Sequence, residues 1–360
     1  MLLIKHTSIM KTITLLLVFT LTSLFAFSQT VYTVDNRPES GAQYTSVQAA
    51  IDAATAGDII YIHPSPTSYG SVDVTKTITL IGSGHNPENS DGLRATLSSI
   101  TLRPDSADTV ITGLNLVSVT AYSYGTNTHN IHIVNNRITN EVRGYYTSGQ
   151  SDNWIVEGNY FDSGYTTSNI NASALNNLQV RNNIIKGRIN SSNHTNVFTN
   201  NLFINDDPSG DAEIFIGNDG ITSQLVTNNM FIFTDPDVTS LSSTGTPIIY
   251  TNCLTWQAGG GVDLPILPGS GNLDNTNPLF NNIPTDLDDF YNNDYTLGIG
   301  SPAIGAATDT GDIGLFGRNF PFDINGRAHS MPYPEGMTIL NTVVQPGQNL
   351  NVEFQASQKN

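Results

Sequence analysis

Val180-Arg181-Asn182-Asn183-Ile184-Ile185 is answered a short way along the chain by Phe198-Thr199-Asn200-Asn201-Leu202-Phe203. The shared phrase is apolar–x–Asn-Asn–x–apolar. Before these two stand Ile133-Val134-Asn135-Asn136-Arg137-Ile138 and Val156-Glu157-Gly158-Asn159-Tyr160-Phe161. After them come Val226-Thr227-Asn228-Asn229-Met230-Phe231 and Ile249-Tyr250-Thr251-Asn252-Cys253-Leu254. Counted on Asn136, Asn159, Asn183, Asn201, Asn229 and Asn252, the steps are 23, 24, 18, 28 and 23 residues. A period of roughly 20–30 residues carrying one short strand and one Asn-rich corner is the mark of a solenoid. Three residues before each marker stands an apolar column from Ile133 to Ile249, and two residues after it a second from Ile138 to Leu254. Two apolar columns astride a corner mean two adjoining strands facing one narrow core. Asn suits the corner because it tolerates the left-handed backbone, and stacked amides can hydrogen-bond from coil to coil. The fold class is therefore all-β, a parallel β-helix.

The flanks fit that reading. Val31-Tyr32-Thr33-Val34 alternates as a strand, and Thr45 with Gln48 reads as a capping box opening a helix whose stripe is Val47, Ala50, Ile51 and Ala54. Such a helix would close the open end of a solenoid. The polar stretch 83–105 is expected to loop out of the stack, with Val110-Ile111-Thr112-Gly113-Leu114 resuming it and Gly113 standing where later coils place Asn. Asn277-Pro278-Leu279-Phe280 and Ser301-Pro302-Ala303-Ile304 are expected to mark further coils, closed by Asp312-Ile313-Gly314-Leu315-Phe316-Gly317. Segments 338–343 and 350–354 flank Gln345-Pro346-Gly347 as a terminal hairpin. The expected division is 1–28 leader, 29–84 cap and first coils, 85–330 β-helix body and 331–360 hairpin tail.

The start reads as a secretory signal. Lys5 and Lys11 precede an apolar run from Ile13 to Phe27, and Ala26 and Ser28 are small residues suited to cleavage. The run is short for a membrane span, so the expected product is a secreted chain, extracellular or at the bacterial surface or periplasm, with no transmembrane anchor and acting as a monomer. Net charge is −17, with 31 acidic against 14 basic residues. That balance excludes nucleic acid and anionic lipid as partners and weighs against a polyanionic glycan. Cys253 is the only cysteine, so no intrachain disulfide forms, and its place in the repeat reads as packing.

The coils resemble the right-handed parallel β-helix superfamily that contains pectate lyases and related polysaccharide-processing proteins. The opening Tyr44-Thr45-Ser46-Val47-Gln48-Ala49-Ala50-Ile51 with Gly57-Asp58 is similar to that superfamily's N-terminal cap. The tail from Asn277-Pro278-Leu279-Phe280 through Tyr295-Thr296-Leu297 to Asp312-Ile313-Gly314 is similar to the last coils of secreted bacterial β-helix proteins of unknown function. The resemblance implies a right-handed coil and a polysaccharide as partner. It carries no catalytic motif across. Trp154-Ile155-Val156-Glu157-Gly158 only loosely matches the Trp-Ile-Asp-His strand of pectate lyases, Arg37 and Arg103 fail their Arg-x-Pro-x-x-Arg, and Asp206-Asp207 alone matches the polygalacturonase-like set.

Chemistry-bearing residues gather on one face when counted from the marker. Asp162 and Lys186 share offset +3, Glu141, Arg188 and Asp206 share +5, and Glu157 and Arg181 share −2. Cross-coil ion pairing is the ordinary outcome of such columns. The functional alternative is a groove in which Lys186, Arg188, Asp162, Asp206 and Asp207 are the catalytic candidates. Arg143, Glu141 and Tyr165 would bind substrate, with Tyr145, Tyr146 and Tyr160 near enough to stack on sugars. A lyase needs a base and positive charge beside a uronate carboxyl, and a glycosidase needs two carboxylates, for which Asp206, Asp207, Asp211 and Glu213 on an inserted loop are available. Those acids offer hard oxygens for Ca²⁺, but calcium-loop spacing is missing and no cofactor is assigned. His129, His132 and His194 lack metal spacing, so no metal residue is assigned. The leading expectation is a glycan-associated binding or surface protein. A polysaccharide lyase or glycoside hydrolase comes second, and a structural or adhesive surface protein third.

Overall fold

A computed structural model describes residues 29–122, 128–144, 151–217, 223–245, 247–283, 286–287, 289–329, 332–341 and 347–357. The expected leader 1–28, Tyr145, Tyr146 and residues 342–346 around the expected hairpin turn lie outside the described residues. The chain is a right-handed parallel β-helix. Its first wall is a parallel sheet running from Val31–Val34 through Ile59–Ile62, Thr79–Ile81, Val110–Thr112, His132–Val134, Ile155–Glu157, Gln179–Arg181, Val197–Thr199, Gln224–Thr227 and Ile248–Thr251 to Gly269–Ser270. The second wall begins with Val72–Val74 and the long strands Thr96–Leu102, Asn115–Ala121 and Arg137–Arg143. It then forks. Tyr160–Phe161, Ile184–Ile185, Leu202–Asn205, Met230–Phe233 and Leu254–Gln257 continue one branch, while Ser168–Asn171, Arg188–Asn190, Asp211–Ile216 and Ser240–Ser243 continue the other. Strand Thr96–Leu102 therefore lies inside the stretch read as a loop, and only its first part leaves the stack.

Helix Val47–Ala53 caps the first end. Its N-cap is Ser46, one residue beyond the expected Thr45, and Gln48 is engaged with Asp52 and Asp73 instead of closing a capping box. Val47, Ala50 and Ile51 seal the core beneath it. At the other end Leu264 and Leu267 plug the core.

The Asn pair divides its labour. The first residue takes the left-handed conformation, with φ of 55°, 54°, 57°, 58° and 51° at Asn135, Asn182, Asn200, Asn228 and Asn252, and with Gly113 and Gly158 in the same place. The second turns inward as a buried ladder. Asn183 Nδ2 donates to Val156 O at 2.8 Å, Arg181 O at 2.9 Å and Asn201 Oδ1 at 2.9 Å, while its Oδ1 accepts from Asn159 N at 2.9 Å. Every polar valence of the amide is used, which is what makes a buried amide affordable. The last coil is displaced by one residue from the sequence count. Thr227 pairs with Thr251, so Asn252 holds the left-handed position and Cys253 the ladder position. Its thiol donates to Val226 O at 3.4 Å, and burial pushes its pKa up to about 12. Tyr250, and not Ile249, faces the core there.

Residues 303–327 differ from expectation most. They form no further coil. They run back along the outside of the helix, held by the left-handed Asn column. Asn252 Nδ2 donates to Ala306 O at 2.7 Å, Asn228 Nδ2 to Thr308 Oγ1 at 3.0 Å, Asn200 Nδ2 to Asp312 O at 3.2 Å, Asn182 Nδ2 to Leu315 O at 2.9 Å and Asn135 Nδ2 to Arg327 O at 3.1 Å. The physical reason is a second apolar face. Tyr160, Ile184, Leu202, Met230 and Leu254 point outward, with Ile204 and Ile232 beside them, and Phe290, Ala303, Ile313, Leu315 and Phe322 cover them. Burying such a side chain is worth about 1.5–3 kcal/mol, so the strap is held by packing as much as by amides. Gly317 is required where it stands, because a Cβ there would meet Asn200 Nδ2.

The tail is an antiparallel hairpin, as expected, but its strands are Tyr333–Ile339 and Val352–Ser357, shifted from the expected 338–343 and 350–354. No helix among the described residues is long and apolar enough to cross a membrane.

Candidate functional site

The nominated charged residues do meet, and they meet as ion pairs. Asp162 accepts from Arg137 Nε of the preceding coil at 3.0 Å and from Tyr160 Oη at 2.9 Å, and Lys186 Nζ of the following coil stands 3.9 Å away. Burial opposes ionisation of Asp162, but the Arg137 charge and these hydrogen bonds outweigh it and hold the pKa below the usual carboxylate value. Glu157 bonds Arg181 at 2.6 Å, as the shared offset predicts, and also His132 at 2.9 Å. Its burial is likewise outweighed, by His132 and Arg181, and its pKa is lowered.

Arg188 Nη2 lies 3.5 Å from Glu213 and 3.7 Å from Asp207. Of the two acids only Asp207 is on the connection between strands. Glu213 and Asp211 belong to strand Asp211–Ile216, and only the turn before it is inserted. Asp207 is fully buried, accepting from Ser209 N at 2.9 Å, which is turn-forming work. Asp206 does not share the Glu141–Arg188 column. Ile170 pairs with Val142 and Ile189, and Arg188 pairs with Ser168 across a bulge at Asn169, so Glu141 and Arg188 each stand one residue before that line; Phe215 also pairs with Ile189 and carries the column past Asp206. Glu141 turns to Arg143, 3.3 Å away in the same strand.

The aromatic residues fare differently. Tyr165 sits half-exposed in the bend after Asp162. Tyr160 is buried under Phe290, rings stacked at 3.8 Å, and is closed to any sugar. Among the described residues no group of three or more His, Cys, Asp or Glu converges on a metal position.

No family model matches this chain. No curated protein matches it either. The site must be read from its own geometry.

That geometry includes a cleft the sequence reading missed. It measures about 520 Å³ and lies between the last coils and segment 277–287 that follows them, lined by Thr234, Trp256, Leu279, Phe280, Ile283 and Asp286 among others. Trp256 faces outward next to Ile232, its partner in the preceding coil. Leu279 is 43% exposed and held at φ 52°, a conformation that costs a non-glycine residue about 1 kcal/mol or more. Its N–H is taken by Asn277 Oδ1 at 2.9 Å, which fixes the turn. One signal was available: of two tryptophans, Trp154 falls inside the repeat and Trp256 just beyond it.

Proposed function

We propose that this protein is a secreted, glycan-associated β-helix of the pectate lyase-like group that binds a polysaccharide without cleaving it. The observation carrying the reading is the Trp256 cleft: a partly exposed indole and Phe280 beside Asn277, Thr234 and Asp286. A small-ligand site is typically concave, mainly apolar, and set with a few polar groups, and an aromatic ring offers a flat apolar face with a polar edge. The ion pairs support binding over lyase chemistry. Arg137, Arg181, Lys186 and Arg188 each stand against a carboxylate of a neighbouring coil, which spends the positive charge a lyase would direct at a uronate.

The test is a polysaccharide panel, following intrinsic fluorescence for binding and both unsaturated-product absorbance and reducing ends for cleavage. Trp154 is buried, so a fluorescence change reports on Trp256. Binding with neither product is expected. Cleavage that Arg188→Ala or Lys186→Ala abolishes would replace this reading with the lyase or hydrolase one.

A further inference from the structure

We propose that the Trp256 cleft takes an electrically neutral oligosaccharide and excludes uronates; this rests on the glycan reading above and specifies its ligand class. Charge is the first argument. The chain contains no Lys or Arg between Arg188 and Arg318, and every described residue lining the cleft belongs to that stretch. The one charged group among the described lining residues is the Asp286 carboxylate, exposed at the rim. A uronate seated on Trp256 would lose part of its hydration, find no cation to replace it, and meet a like charge.

Hydrogen-bonding capacity is the second argument. The Trp256 indole N–H and the Asn277 amide are donors, and the Asp286 carboxylate and the Thr234 hydroxyl are acceptors. Sugar hydroxyls donate and accept, so they match a mixed set. The apolar C–H face of a neutral hexose ring matches Trp256 and Phe280. The third argument is preorganisation. Asn277 Oδ1 and the Gly298 N–H, 2.7 Å from Leu279 O, lock Leu279 in its left-handed turn and hold its exposed side chain at the cleft edge. Holding an apolar side chain exposed and strained is what a binding edge does, because the cost of ordering it is met before the ligand arrives.

The experiment titrates the full chain with neutral oligosaccharides (gluco-, manno- and N-acetylated series) and with oligogalacturonate, with and without Ca²⁺, by calorimetry and fluorescence. A neutral series is expected to bind at least about tenfold more tightly than the uronate, with or without Ca²⁺. Trp256→Ala, shown folded by circular dichroism at the assay temperature, should weaken it about tenfold or more, and Asn277→Ala by a smaller factor. Asp286→Lys should bring the uronate toward the neutral affinity. Uronate binding equal to or tighter than neutral, and sensitive to Trp256→Ala, would overturn the inference and leave the glycan reading standing. Neutral binding indifferent to both Trp256→Ala and Asn277→Ala would also overturn it, since the site would lie elsewhere. Failure of every oligosaccharide to bind would sink both.

Discussion

Two columns of asparagine run side by side through this molecule and do opposite work. The inner column, Asn136, Asn159, Asn183, Asn201 and Asn229, is fully buried and spends its amides on the coil itself. The outer column, Asn135, Asn182, Asn200, Asn228 and Asn252, bends the backbone and spends its amides on the returning strap. One residue type therefore serves two layers, a coil that stacks and a band that clasps it. Identity at a position fixed the turn. The neighbour that arrived later fixed the partner.

The largest test of that division is Asn183→Ala. It removes three donated bonds and leaves Asn159 N, Asn159 Nδ2, Val156 O and Arg181 O short of partners inside the core. A loss of roughly 2–4 kcal/mol in global stability is expected from urea unfolding. A change of a few tenths would mean the ladder is ornament.

Acid should act on the outer layer. His85 is fully buried beneath the far end of the strap, its backbone N–H donating to Asn325 O at 2.9 Å and its ring Nδ1 3.1 Å from Tyr291 Oη. Burial, aided by Arg137, pulls its pKa from 6.5 down to about 3; Arg94 acts the same way, while Asp323 and Asp162 oppose it. The unfolded chain therefore binds a proton below pH 6.5 that the folded chain refuses until about pH 3. The stability this neutral imidazole confers is full above pH 6.5 and drains as pH falls, by up to about 1.4 kcal/mol per unit. Between pH 6.5 and 5, above the carboxylate range, wild type should lose about 2 kcal/mol that His85→Gln does not. Equal slopes in the two proteins would remove His85 from the account.

The mildest test separates the columns. Asn182→Gly keeps the left-handed φ and deletes only the bonds to Leu315 O and Gly317 O. A cost of about 1–2 kcal/mol is expected, confined to the strap, read as faster proteolysis within 303–327 with the coil's amide protection unchanged. Loss of protection in the coil itself would show that the two layers unfold as one.

Much of the coil was legible because its signals are local. An apolar residue three before the marker and another two after it gave both inner faces, and shared offsets gave Glu157–Arg181 and Asp162–Lys186 as pairs. A second corner was legible and overlooked. Asn130, Asn153 and Asn177 recur six residues before the marker, sit at positive φ and bond one another in a row. The outward apolar face was also written in the chain. Leu202-Phe203-Ile204 and Met230-Phe231-Ile232-Phe233 are unbroken apolar runs, the pattern of a strand buried on both sides.

What covers that face was not legible, since 303–327 meets it from as far as 192 residues away, as at Asn135 and Arg327. The sequence alone determined the coil, its corners, its inner core and its charge, because each depends on residues one turn apart at a fixed spacing. Only the tertiary structure decided that the tail doubles back as a strap, that Tyr160 is sealed under Phe290, and that Trp256 is left facing a cleft. Those outcomes depend on which surface a distant segment finds, and no local period encodes a contact between one side of a solenoid and the chain that returns along it.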